Sequence, residues 1–253
     1  MSPSHSRKKP EGRGERRRAA TGRTAPAVDV DDLTGPVEDY LKAIYELERG
    51  GEPAATNDLA IHLSVAPASV TGMVRRLADQ GLCTHERYRG VRLTAHGRLG
   101  ALRTLRRHRV IEAYLVKALG YRWDEVHDEA ERLEHVISER MEQRIFELLG
   151  RPELDPHGHA IPSASGKVRS LSERPLSECR AGEKVVVQGV SDEDAARLRE
   201  LERRGLMPGT HLEVVSVSEY ESPFVVRIKG KRVSVPLGLA RAIFVEGGRQ
   251  SGR

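Results

Sequence analysis

Thiols are scarce in this chain of 253 residues. Its two cysteines, Cys83 and Cys179, stand 96 positions apart and form no CxxC pair. That spacing argues against a disulfide framework and a thiolate zinc site, and leaves two free thiols in a reducing compartment. Aromatics supply only 4% of the residues, with a single Trp, and they form no stacking series. Single-stranded nucleic acid and RNA, which are read by stacking, are therefore disfavoured partners. No apolar run approaches the roughly 18 residues of a spanning helix, and the N-terminal stretch holds no apolar signal core. The expectation is a cytoplasmic protein with no membrane contact. Neither an HExxH motif nor a nucleophile–base pair stands out, so hydrolytic metal chemistry is not indicated. The chain is read as a non-enzyme without an organic cofactor.

What is present is charge, and it is segregated. The formal net charge is +5, and residues 1–30 account for it, with eight Lys/Arg against three Asp/Glu. The rest balances overall but not locally. Residues 67–110 carry ten Arg against Asp79 and Glu86, whereas residues 123–155 carry eleven acids against four Arg. A basic stretch followed by an acidic one suggests two partners of opposite sign, a polyanion and a cation.

Residues 1–31 are polar, Pro/Gly-spiked and without apolar periodicity, and read as a disordered basic tail. From Asp32 the pattern turns helical: Tyr40, Leu41, Ile44, Tyr45 and Leu47 recur at helical spacing, closed by Gly50-Gly51. Thr56 is read as the cap of a short helix with Leu59, Ala60 and Leu63 inward. Pro67 opens another, carrying Val70, Met73, Val74 and Leu77 and ended by Gly81. LCTHERYRGVRLT, 82–94, reads as a hairpin. Helix, short helix, turn, helix, hairpin is the winged helix-turn-helix layout. Helical stretches over 94–120 and 123–149 follow, then a Pro/Gly/Ser-rich linker. Five short β runs with one internal helix suggest a small SH3-like barrel. The fold expected is mainly α with a small β domain: a winged helix-turn-helix, a helical dimerisation domain and a C-terminal SH3-like β-barrel. Its boundaries are 32–98 for DNA binding, 99–156 for metal binding and dimerisation, 157–178 for the linker, 179–247 for the β domain and 248–253 for a second disordered tail.

A recognition helix reads base edges from its N-terminal turns. Pro67, Ala68, Ser69, Thr71 and Gly72 hold those positions, with Arg75 and Arg76 one turn later. Small residues allow close approach to the major groove, the hydroxyls reach phosphates or bases, and Ala68 packs on a thymine methyl. Thr56 on the preceding helix, and Arg87 and Arg89 on the wing, complete the candidate contacts to double-stranded DNA. The plainer reading is a small core with solvated arginines.

The acidic stretch contains VHDEAERLEH, 126–135. On a helix at about 100° per residue, Glu131, Glu134 and His135 fall within about 80° of His127, while Asp128, Glu129 and Arg132 point outward. His108 and Glu112 form an i, i+4 pair on the preceding long helix, and Asp39 lies beside the apolar side of the first. Each feature alone is more often a solvated face. On helices that pack together they could build one or two oxygen/nitrogen cation sites, because burying several carboxylates without a cation is costly.

VEDYLKAIYEL, SVTGMVRRLADQGL, ERYRGVRLT, RRHRVIE and VHDEAERLEHVISE together resemble the DtxR/MntR family of metal-dependent transcriptional repressors, over about residues 34 to 246. The C-terminal segment resembles that family's FeoA-like third domain. The resemblance implies a homodimeric repressor that binds operator DNA when a divalent ion is bound and controls metal-uptake genes. It implies a primary site of Asp39, Glu131, Glu134 and His135. Iron-type members have Met and Cys where this chain has Asp39 and Glu131. Carboxylates there mark the manganese-type branch and favour Mn²⁺ over Fe²⁺. Binuclear members carry a second acid on the first helix, where this chain has Lys42. His108, Glu112 and His127 match an ancillary site that borrows ligands from the third domain, with Asp192 the nearest match. The alternatives are an iron-responsive member of the same family and a winged-helix regulator sensing a non-metal ligand. A metalloenzyme with an appended DNA-binding domain is a more remote rival.

Overall fold

The computed structural model describes residues 29–48, 51–86, 89–191, 194–217 and 223–247. The two expected tails, apart from residues 29–31, lie outside these residues, as do Gly50, Arg87 and Asp192.

The helical periods at the start of the chain become α1 (Gly35–Leu47), α2 (Thr56–His62) and α3 (Pro67–Asp79). Thr56 is the first helical residue of α2 and not its cap, which is Ala55. The inward faces meet in one cluster that includes Val37, Leu41, Ile44, Leu59, Val70, Val74 and Leu77. Burying those side chains against each other is the main force holding three short helices that would be marginal alone. β1 (Cys83–Glu86) and β2 (Gly90–Leu93) pair antiparallel with Cys83 opposite Leu93, and Ala54 bridges to Val91. The order is that of a winged helix-turn-helix.

α4 (Ala95–Leu119) is capped by Thr94, whose hydroxyl accepts from the Gly97 amide, and ends at Gly120 with φ 71°. Gly97 permits its close seating: a Cβ there would stand 1.9 Å from the Leu82 carbonyl oxygen. The single helical stretch expected over 123–149 is two helices, α5 (Val126–Leu133) and α6 (Glu139–Leu148). Ser138 starts the second by accepting from the Met141 amide. Glu134 thereby becomes the C-cap of α5, and His135 sits in the connecting turn.

The chain over 151–163 lies along α4. Arg109 Nη1 donates to the Ala160 carbonyl at 2.5 Å and Arg106 Nη1 to that of Pro162 at 2.7 Å. Asp155 and His157 are buried.

The C-terminal part consists of β3 (Lys184–Val190), α7 (Ala195–Arg203), β4 (His211–Ser216), β5 (Phe224–Ile228), β6 (Lys231–Val235), α8 (Leu237–Arg241) and β7 (Ile243–Gly247). The strands form one antiparallel sheet in the order β6-β5-β4-β3-β7. The expected SH3-like barrel is not formed, because β6 and β7 are opposite edges of an open sheet and do not pair. The outer edge of β7 is taken by the incoming chain instead. Pro175 bridges to Phe244, the Val245 amide donates to Arg174 O, and Ser172 Oγ donates to Val245 O. With its edge hydrogen bonds satisfied in this way, β7 has no need of β6.

This sheet is not an isolated bead. Trp123, from the α4–α5 connection, is buried in the same cluster as Leu176, Val187, Leu198, Leu201 and Phe224.

Candidate metal centre

Three short groups of acids and histidines are built from α1, α4, α5 with the turn after it, and the segment 151–163. Asp39, Glu134 and His135 form the first, His108, His127 and Glu131 the second, and Glu112, Asp155 and His157 the third. Within each, the candidate donor atoms lie within 4.8 Å of one another.

In the first group, α1 meets the turn after α5. His135 Nε2 is 2.8 Å from Asp39 Oδ1 and 3.6 Å from Glu134 Oε1, while its Nδ1 is 2.6 Å from Glu38 Oε2. The hydrogen bonds to Asp39 and Glu38 push the imidazole pKa up to about 10, against the opposing effect of burial. Arg107 on α4 pairs with the other oxygen of Glu38. Burial alone would raise the Glu38 carboxyl, but His135 and Arg107 hold it below its ordinary value.

The second group contains a resident ammonium. Lys42 Nζ donates to Glu131 Oε1 at 2.5 Å and to Glu134 Oε1 at 2.7 Å. Burial works against its charge, but Glu134 and Glu131 hold its pKa well above the ordinary lysine range. Burial likewise raises the Glu131 carboxyl, and Lys42, His108 and His127 bring it below its usual value. His108 Nδ1 lies 2.5 Å from Glu134 Oε2 and 3.7 Å from Glu131 Oε1. His127 Nε2 is 3.9 Å from Glu131 Oε1.

The third group centres on Glu112, which is fully buried. Its Oε1 is 3.1 Å from His108 Nε2 and 3.7 Å from both His127 Nδ1 and His157 Nδ1. Its Oε2 is buried with no hydrogen-bond partner among the described residues. Burial would push this carboxyl up, yet His108 and the neighbouring histidines hold it well below its usual value. His108 is correspondingly held protonated: burial lowers its pKa, but Glu112 and Glu134 raise it further.

All the described candidates from the acidic stretch and α4 therefore converge. Glu131 turns toward His108, His127 and Lys42, and Asp39 meets His135. Asp128 and Arg132 are exposed, Arg132 pairing with Glu129 at 2.5 Å. Asp192 lies outside the described residues. Four contributors went unnoticed in the sequence: Glu38, Arg107, Asp155 and His157. The only signal for the last two was the short run DPHGH, hidden in a segment whose Pro and Gly content reads as a linker.

The donor set fits a divalent ion. The atoms are carboxylate oxygens and imidazole nitrogens without sulfur, the combination suited to Mn²⁺ and Fe²⁺, and the buried Glu112 oxygen lacks a donor.

In the winged unit, Pro67, Ala68, Ser69, Thr71, Gly72, Arg75 and Arg76 of α3 are all exposed, while Val70, Val74 and Leu77 face inward. Thr71 Oγ1 donates back to Pro67 O at 3.1 Å. Among the described residues, a Cβ on Gly72 would meet nothing within 4 Å. Thr56 is half-buried and Arg89 exposed.

Comparison with known proteins accords with this division. Residues 32–91 match the iron dependent repressor N-terminal DNA binding domain, 94–163 the iron dependent repressor metal binding and dimerisation domain, and 174–247 the FeoA domain. The chain is 31% identical to the iron-dependent repressor IdeR of Mycobacterium leprae, over 86% of its own length and 99% of the relative's. Against the diphtheria toxin repressor of Corynebacterium glutamicum it is 30% identical, over 86% and 98% of the two chains. A solved manganese-dependent transcriptional repressor in complex with manganese is 40% identical with a TM-score of 0.79, covering 83% of this chain and 99% of that one.

Proposed function

The chain belongs to the iron-dependent repressor (DtxR) family of DNA-binding transcriptional regulators, which are not enzymes, and from that premise we propose a homodimeric repressor of metal-uptake genes that grips its operator when Mn²⁺ is bound. The observation that carries the divalent-ion reading is the donor set: Asp39, Glu134 and His135 within reach of one point, all oxygen or nitrogen. Mn²⁺ is put first because the solved repressor that is 40% identical to this chain is a manganese-dependent one. Fe²⁺ is the second reading. It is favoured by the descriptions of the matched repressor models and of the Mycobacterium leprae relative, and the same oxygen and nitrogen donors accept it.

We read 32–98 as the DNA-binding unit, 99–156 as the metal-binding and dimerisation unit, 157–178 as the connection and 179–247 as the FeoA unit. A bound divalent ion supplies the charge that lets several carboxylates share one place. The chain's own residues do the rest. Asp39 belongs to α1, which is packed on α2 and α3 through Leu41 and Ile44, while Glu134 and His135 belong to the end of α5. Drawing Asp39, Glu134 and His135 to one point fixes the recognition helix relative to the dimerisation helices. Ala68, Ser69, Thr71 and Arg75 of the two protomers then meet successive major grooves. A coupling of about 1–3 kcal/mol suffices for a 5–150-fold change in DNA affinity. Glu112, His127, Asp155 and His157 are the residues we assign to a second ion, with His108 standing between the two sites.

Gel-shift titrations of the chain's own promoter with Mn²⁺, anaerobic Fe²⁺, Zn²⁺ and Co²⁺ decide between the readings. Glu134→Ala and His135→Ala are expected to remove metal-dependent DNA retention while leaving a folded dimer. Unchanged retention by both variants would refute the assignment.

A further inference from the structure

Lys42 stands between two groups of donors that share a wall. Glu134 serves the group with Asp39 and His135, and Glu131 serves the group with His108 and His127. A single buried ammonium is bonded to one oxygen of each, at 2.7 and 2.5 Å. Two carboxylates on adjacent turns of one element, spanned by a cation, are the arrangement a bridging metal ion would produce.

We propose that Lys42 is a tethered cation standing in for one metal ion, so that this pair of neighbouring groups accepts a single divalent ion, at Asp39, Glu134 and His135. Several features converge on that assignment. The ammonium is delivered by α1 itself, three residues after Asp39, so it cannot diffuse away when the metal concentration falls. It occupies Glu131 Oε1, which lies 3.7 Å from His108 Nδ1 and 3.9 Å from His127 Nε2, so this oxygen is not open to a further ion in the second group. A divalent ion placed there would face a fixed positive charge bonded to the same Glu131 oxygen, with little water to screen it, since the Lys42 side chain is 9% exposed. Lys42 and His108 also satisfy both oxygens of Glu134 between them in the metal-free form. Lys42 thus sets how many ions the site counts. This rests on the proposed function, whose ligands it shares.

The test uses the full chain and Mn²⁺ alone, with bound metal counted by equilibrium dialysis and the ions' magnetic coupling read by electron paramagnetic resonance. The wild-type chain is expected to bind Mn²⁺ without a carboxylate-bridged, spin-coupled pair. Lys42→Glu should bind one more Mn²⁺ per chain and show such a pair, and Lys42→Arg, which keeps the charge, should retain the wild-type count. A spin-coupled pair in the wild type overturns the inference whatever the variants do, as does an equal count in wild type and folded Lys42→Glu. If Asp39→Ala and His135→Ala weaken Mn²⁺ uptake while Lys42→Glu changes nothing, the proposed function stands and the role of Lys42 falls. A wild-type chain that binds neither Mn²⁺ nor Fe²⁺ overturns both.

Discussion

In the metal-free protein, His135 is held by carboxylates at both ring nitrogens. Its two ring nitrogens reach Asp39 and Glu38, and those carboxylates raise its pKa to about 10 from an ordinary 6.5. The folded chain therefore binds a proton at His135 that the unfolded chain releases over this range. The resulting stabilisation is complete below about pH 6.5, declines as pH rises, and is gone above about pH 10. In the presence of a chelator, urea midpoints of the wild type are expected to fall between pH 6.5 and 9 more steeply than those of His135→Gln. Equal slopes would show that the imidazolium is not held by its carboxylates. The same proton must leave before the nitrogen serves as a ligand, so Mn²⁺ affinity should rise with pH.

At the scale of elements, the division between α5 and α6 matters most. Apolar residues Ala130, Leu133 and Ile137 continue the helical period across it, so periodicity alone reads one helix. The hydroxyl of Ser138 accepts the Met141 amide and begins a new helix, leaving a turn in which His135 meets α1. A local hydrogen bond outweighs the period because it satisfies an amide that would otherwise lack a partner at the helix start. The seating of α4 on the chain that leads into the wing is equally specific. Gly97→Ala would set a methyl 1.9 Å from the Leu82 carbonyl oxygen, and backbone cannot step aside as a side chain can. A loss of about 1–3 kcal/mol is expected in chemical denaturation. An unchanged midpoint would mean that α4 is free to shift there.

For the whole molecule, the issue is how the FeoA unit is joined to the rest. Trp123 inserts into the core around Leu176 and Leu198, and its ring stacks on that of His157, centroids 5.6 Å apart. His157 Nε2 lies 2.8 Å from Trp123 O, and the Val190 amide donates to His157 O. Asp124 adds ion pairs at 3.0 Å to Arg122 and to Arg199 of α7. The third donor group is thus part of the junction between units, with His157 touching both Glu112 and the sheet's support. Trp123→Ala is expected to cost about 3–5 kcal/mol. Limited proteolysis between residues 163 and 175 should also be faster in this variant than in the wild type.

Much of this was legible in the sequence because it is local. Helical periods, Pro67 and Thr94 at helix starts, and Gly120 at a helix end act over a few residues, so the order of elements through the wing and α4 follows from the letters. The candidate ligands on α4 and α5 were visible for the same reason, since an i, i+4 spacing places His108 with Glu112 in any helix. Which groups those ligands join was decided only by the tertiary structure. Lys42 reaches carboxylates 89 and 92 positions away, and Asp155 and His157 come to Glu112 through a segment with no period to betray it. The open sheet belongs to the same class. Five strands were apparent, but whether the last pairs with β6 or with residues 172–175 depends on which backbone arrives at that edge. No short-range pattern encodes that choice, because it is made by hydrogen bonds between segments some seventy residues apart.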